Sequence, residues 1–485
     1  MTFQTNFPLE PTKLPYITVS AKGMSNGLSD IPNDGFDFGP DTMLGTSSKG
    51  LYGPPYSPTL GIQEAVNYIF NNGGGVIYFN PGEYDITNSP FQTDPVSGHR
   101  YKIAIPVQEP NTKPIMRISL VSQAKALGQY RNSEQTSPFT SGGVIIKDLT
   151  LDTTAQNSAS DYILGTFTTS TNNSIIGTNI STYIDGIEFV TNDSSTNMLG
   201  GLDLEYTAQA SFGVISIRTN SLWPASYNNA TGLFWSVGGG HNIGNFAEFI
   251  GVSGYLWGVI STFPHTTVSY LYGVFCNQVV NCTNYVQGGN GNYDSEISMF
   301  SFETSNVGIA IATTTAIGIN IGMFAQGDLQ SSGTFAYQYS IQNIYPYGGG
   351  ANIININSFG AGPSGIIPQF NLNSLDIVNI NQFSEGVING SGIPTNTVNG
   401  TTAGTVTTHL TSYGSYYKKY VIAFSGYEND TATNQTINYP LSFSSYAVIT
   451  GNNTGLTIST TTSGITITSP NSTTTYSGIV IVEGY

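Results

Sequence analysis

Residues 60–86 read LGIQEAVNYIFNNGGGVIYFNPGEYDI, and no other stretch restricts the fold as strongly. Ile62, Ala65, Val66, Ile69 and Phe70 recur at i, i+3, i+4, i+7 and i+8, which gives a short helix one apolar face. Asn71, Asn72 and Gly73 to Gly75 end it, because Gly and Asn tolerate the left-handed geometry of a helix C-terminus. Val76 to Phe79 is a β run, and Asn80-Pro81-Gly82 turns the chain into a second one through Tyr84 and Ile86. Helix, glycine turn, strand, Pro-Gly turn and strand together read as the start of a long repetitive β structure. The helix is expected to plug an open end whose bare backbone edge would otherwise recruit other strands.

Short β runs separated by Asn, Gly and Ser follow at 144–151 and 184–189, with later centres near Phe249, Tyr272, Met299, Asn320, Ile341 and Ile377. The steps from Phe249 to Ile341 are about 21 to 27 residues, the spacing of solenoid coils that each hold two or three short strands. A chain of 485 residues suits a solenoid with an appended module better than one compact domain. The expected organisation is an arm at 1–30, a parallel β-helix at 31–390, a linker or stem at 391–410 and an antiparallel β-sandwich at 411–485. Strand-like runs at hairpin spacing, from 417–424 to 479–483, motivate the last of these. Asn355 and Asn357 share a strand face, and their register with neighbouring coils is not readable from the sequence.

With Asn33-Asp34-Gly35 upstream, the order of elements at 60–86 resembles the N-terminal signature of the pectate-lyase-like superfamily of right-handed parallel β-helices. The resemblance is to the polygalacturonase-related branch found in viral tail spikes and fibres. Here residues 42–59, with Gly53-Pro54-Pro55, are inserted between the acidic-glycine box and the helix. NMLGGLD at 197–203, continuing LEYT, resembles the central coils of viral members. The stretch YKKYVIAFSGYENDTATNQTINYPLSF and the closing SGIVIVEGY look like a C-terminal module of tail-fibre-like proteins from viruses of prokaryotes. The resemblance implies an all-β protein at the virion surface, a homotrimer held by baseplate or tail proteins, with host cell-surface polysaccharide or glycoprotein as partner.

Charged residues form only 9% of the chain, so its surface must be built from uncharged hydrogen-bonding groups, which suits contact with sugars. A formal charge of −16 and a pI near 4.4 argue against nucleic acid, which is bound through clustered Lys and Arg. No run of about 18 apolar residues predicts insertion into a membrane, and the N-terminus lacks the basic and apolar regions of a secretory signal. A virion protein, assembled inside a host and released with the particle, reconciles that with the extracellular composition. Cys276 and Cys282 fit no zinc pattern and are expected as buried free thiols.

Asp203 and Glu205 stand at i and i+2, so on a strand their carboxyls share a face, as the acid and base of glycoside hydrolysis must. Solvated outward charges are the alternative reading. The polygalacturonase motifs Asn-Thr-Asp, Asp-Asp, Gly-His-Gly and Arg-Ile-Lys are absent in intact form, the nearest approach being Gly239-Gly240-His241-Asn242. A lyase would need a basic residue, and Arg218 is the only arginine near the pair in sequence. Trp223, Trp235 and Trp257, with Tyr227 and His241, fall in one short segment and are candidate sugar-stacking residues or, alternatively, core or interface residues. No metal and no cofactor are expected. Three functions compete: a receptor-binding tail fibre or spike, a polysaccharide depolymerase (glycoside hydrolase or lyase) on a viral spike, and a cellular surface adhesin.

Overall fold

The computed structural model describes residues 16–21, 37–40, 57–107, 116–122, 143–151, 161–168, 180–193, 199–207, 209–235, 245–261, 265–283, 293–312, 317–330, 332–344, 352–361, 370–371, 377–383, 405–413, 417–427, 434–438, 443, 447–452, 457–468 and 476–485. His241, the Asn33-Asp34-Gly35 box and most of the expected linker lie outside them. The helix forms at Ile62–Asn71, with Ile62, Ala65, Val66 and Ile69 fully buried. It packs on the strands Tyr16–Val19, Gly75–Phe79, Arg100–Val107 and Met116–Ser122, and so closes that end of the β body. Gln63 fixes the contact, its side chain accepting from Ala104 N at 2.7 Å and donating to Ala104 O at 2.9 Å.

Two long parallel sheets make up the body, an arrangement consistent with a parallel β-helix. In the first sheet, Tyr16–Val19, Gly75–Phe79, Met116–Ser122, Ile180–Asp185 and Gln209–Thr219 pair in turn. Phe246–Ser253, Thr267–Val274, Tyr293–Glu303, Ile317–Gln326, Ile353–Ala361 and Ile377–Phe383 continue it. The second runs from Arg100–Val107 through Asp161–Thr168, Leu199–Leu204, Asn228–Trp235 and Tyr255–Ser261 to Gln278–Thr283 and beyond. Part of the expected N-terminal arm thus supplies a first-sheet strand, Tyr16–Val19. Of the expected coil centres, Ile341 belongs to the second sheet, at Tyr339–Asn343, and the next first-sheet strand is Ile353–Ala361. Both sheets are apolar on their inner side, so a hydrophobic pattern alone does not say which sheet a strand joins.

First-sheet strands bend at one level. Register partners run Ala247, Val268, Ile297, Ile321 and Ile356, then resume three residues on with Ile250, Leu271, Phe300, Phe324 and Phe359, all of them in the core. The exposed residues Glu248, Ser269, Ser298, Gly322 and Asn357 stand at the bend, where strict alternation of inward and outward side chains is interrupted. Inside, Phe324 stacks on Phe359 with centroids 4.6 Å apart and planes at 12°, and contacts Phe300 at 4.9 Å. Outside, Asn379 donates to Asn355 at 2.9 Å and Asn355 to Asn320 at 2.8 Å, a ladder with one amide per coil. Cys276 and Cys282 are buried free thiols, and burial pushes both up to about 12.

The last parallel strand, Ile377–Phe383, is followed by a change of direction. Thr405–Tyr413 pairs with it antiparallel, then Tyr417–Tyr427, Tyr476–Gly484 and Ala447–Asn452 extend the same sheet. Asn434–Asn438, Gly464–Thr468 and Thr457–Thr460 form a separate antiparallel sheet. Strand pairing therefore begins inside the stretch expected to be a linker, because Thr, Val and Tyr at 405–413 suit an extended chain.

Candidate functional site

Asp203 sits on Leu199–Leu204 between Leu202 and Leu204, both core residues, so alternation turns its carboxylate to the outer face of the second sheet. It is nonetheless fully buried. A hairpin covers it: Gln92–Thr93 pairs antiparallel with the start of Arg100–Val107, and the turn between them carries Asp94 and His99. Asp94 Oδ1 accepts from Val96 N and Ser97 N at 2.8 Å each, and Gly98 takes φ +75°, which shapes this turn. Arg100 clamps the hairpin to the next coil through two contacts with Asp161, at 2.7 and 2.5 Å.

The turn brings His99 Nδ1 to 2.6 Å from Asp203 Oδ2. Tyr101 donates its hydroxyl to the same oxygen at 2.8 Å, and Glu205 N donates to Oδ1 at 3.1 Å. Tyr101 reaches across a whole coil because Gly165 lies in between: a Cβ there would stand 2.1 Å from the Tyr101 ring. Gly200 opens the sheet to the Tyr162 ring in the same way, at 2.7 Å. Both tyrosines carry the imidazole above them, with His99 to Tyr162 centroids 5.7 Å apart.

His99, Asp203 and Glu205 each offer a ligand atom within 4.8 Å of the others, an arrangement that a metal ion would also fit. Both Asp203 oxygens already accept hydrogen bonds, however, and such a triad works without an ion as a titrating group. Burial pushes the Glu205 carboxyl up to about 8, with the Asp203 charge adding to the shift and His99 opposing it. Burial pulls His99 down, but its bond to Asp203 and the charges of Asp203, Glu205 and Asp94 outweigh that and raise it. Burial, then the Asp203 charge, holds Tyr101 far above the usual phenol range, so it remains a proton donor to Asp203. As pH rises the His99 and Glu205 pair passes through a state with one proton between an imidazole and a carboxyl. That state presents one acid and one base, and its apparent pKa values belong to the pair.

Asp203 and Glu205 come together, although Glu205 stands in the turn just past Leu204 rather than on the strand, and they are joined by His99 and Tyr101, which lie 104 and 102 residues from Asp203 in sequence. No local motif points to either; the one available signal is a glycine on an outward-facing position of the strand between. The aromatic candidates separate. Trp235 is a correction to the expected sugar platform: its ring is wholly inside the coil, 5.2 Å from Phe212, with Nε1 donating to Ala210 O. Trp257 is half-buried on Tyr255–Ser261, two strands along the second sheet from Asp203. Trp223 and Tyr227 lie in the turn that enters Asn228–Trp235, whereas Asp203 and Glu205 lie where Leu199–Leu204 ends. Arg218 is held by Glu188 on the first sheet and also donates to Thr219 O and Asn220 O, away from the triad. No protein-family model, curated protein or solved structure matches the chain.

Proposed function

We propose that this chain is a glycan-binding tail fibre or spike protein of a virion, and that the His99, Asp203 and Glu205 site cleaves the glycan it holds. The observation that carries the second part is geometric: an Asp203-paired imidazole and the Glu205 carboxyl lie within 4.8 Å of each other, and burial raises that carboxyl, an arrangement that adhesion alone does not require. Asp203, with no exposed surface, is a positioning residue that holds His99 through Nδ1. His99 takes a proton through Nε2, from a water attacking the sugar or from the carbon beside a uronate carboxyl. Glu205 gives its proton to the departing glycosidic oxygen. The virion assignment rests on the sequence resemblance, and in the same reading the coil is right-handed, the hand that parallel crossovers favour. In the same reading the two antiparallel sheets at the C-terminus form the β-sandwich module.

Purified protein incubated with the surface polysaccharide of its host is expected to release chain ends: reducing ends alone from hydrolysis, unsaturated ends from elimination. Binding to cells without release of either leaves the receptor-binding reading and removes the cleavage. A homotrimer is part of the proposal, since a closed ring of three multiplies weak single-site affinities. Light scattering at micromolar concentration is expected to give three times the chain mass, and a monomer would refute the trimer as an intrinsic property.

A further inference from the structure

Where first-sheet strands turn into the second sheet, an aromatic cluster packs apart from the main core, with one ring open to solvent. Trp223 is 74% exposed, yet its ring is held edge-on to Phe275 at 5.4 Å. Phe275 in turn meets Phe335 at 5.4 Å, and Phe335 meets Tyr227 at 6.1 Å. These residues come from three separate turns of the chain, so the cluster is built by coil stacking rather than by local sequence. Its central member is strained. Successive turns stack here, Gly254 N donating to Val274 O and Phe275 N to Thr304 O, and the position needs a left-handed backbone. Gly254 adopts φ +85° without penalty, whereas the next coil holds Phe275 at φ +55°. A bulky residue kept in that conformation is stored strain of the kind found at binding sites. What the strain achieves is an aromatic ring under Trp223 and beside Phe335.

Polar groups border the rings. Glu303 is the register partner of Val274, beside Phe275, and hydrogen-bonds Tyr272, a member of the same cluster. Its side chain crosses Gly327, where a Cβ would stand 2.3 Å from Glu303 Cγ. Burial raises the Glu303 carboxyl, the Tyr272 bond opposes this, and Asp328 adds to it. The exposed Trp223 ring, backed by buried Phe275 and flanked by half-buried Tyr227, with a carboxyl and a phenol nearby, matches a sugar ring, apolar on its C–H face and hydroxylated at its edge. The acids at the rim disfavour a uronate or other anionic sugar.

We propose that Trp223 and Tyr227, held in place by the buried rings of Phe275 and Phe335, form a second glycan-binding platform, sharing no residue with the His99 site, that takes uncharged hexose or N-acetylhexosamine chains. It stands whether or not the triad cleaves.

Titration of full-length protein with cellohexaose, chitohexaose and hexagalacturonate, followed by calorimetry, tests this. Wild type and Glu205→Gln are both expected to bind at least one uncharged hexamer, with Trp223→Ala weakening that binding at least tenfold. Trp223 is mostly solvent-exposed, so the variant is expected to keep the wild-type melting temperature. Equal affinity in Trp223→Ala and wild type overturns the platform, as does wild type that binds neither uncharged hexamer or prefers the uronate. Loss of binding in Glu205→Gln but not in Trp223→Ala places glycan recognition at the triad alone.

Discussion

Glu205→Gln is expected to lower glycan cleavage by a factor of about 10² to 10⁴, the usual contribution of a positioned general acid, and at the same time to stabilise the protein at pH 8. The second effect follows from linkage. Glu205 titrates near 8 in the fold against the ordinary value of 4.5, so the folded state binds this proton more tightly than the unfolded one. Its stabilising contribution is complete below about pH 4.5 and is lost as pH rises towards about 8, at about 1.4 kcal/mol per pH unit for one group. Gln is neutral throughout and has no such slope. Urea unfolding of both proteins at pH 5, 6.5 and 8 reads the difference between them, in which the groups common to both cancel except His99, which loses the raising charge of Glu205 in the variant. A difference that does not change with pH would show that Glu205 is ionised in the fold, and the acid role would go with it.

Phe324→Ala is expected to destabilise the protein by about 3 to 5 kcal/mol, the range for emptying a buried phenylalanine site. Phe324 is fully buried and lies between Phe300 and Phe359, so the cavity opens in the middle of a stack through three coils and neighbours on both sides lose contacts. Asn355→Ala, which removes the central rung of the amide ladder, is expected to cost no more than about 1 kcal/mol because that amide is exposed and water replaces its partners. Denaturant midpoints of the two variants rank the interactions. A ladder variant as damaged as the core variant would mean that the outer amides hold the coils together.

The fold was legible where physics is local. At 60–86 the helical spacing, the glycine turn and the two short strands follow from side-chain periodicity and turn chemistry, and Ile62–Asn71, Gly75–Phe79 and Gly82–Asp85 form where they predict. Coil counting was less secure. The bend at Glu248, Ser269, Ser298, Gly322 and Asn357 sets core residues three apart, which defeats a reading by strict alternation. Of the candidate site, Asp203 and Glu205 were visible because two residues apart is a local relation, even though the strand ends at Leu204 between them. His99 and Tyr101 were not, since their approach depends on a hairpin folding over the neighbouring coil and on Gly165 leaving room. The three tryptophans do not form one face: Trp235 and Trp257 lie on paired strands of the second sheet, the first in the core and the second half-buried, and Trp223 lies on a turn.

The helix at one end and the antiparallel strand Thr405–Tyr413 at the other are both supplied by the same chain, and neither depends on how many coils lie between. The count of coils is therefore free to change. Duplicating or deleting one between Tyr293–Glu303 and Ile353–Ala361 would shift the C-terminal strands by about 4.8 Å along the stack. His99, Asp203 and Glu205, held in earlier coils, would not move relative to one another. Reach and chemistry are thus encoded in separate stretches of the chain, so the distance between its two ends can be tuned in single-strand steps without retuning the site.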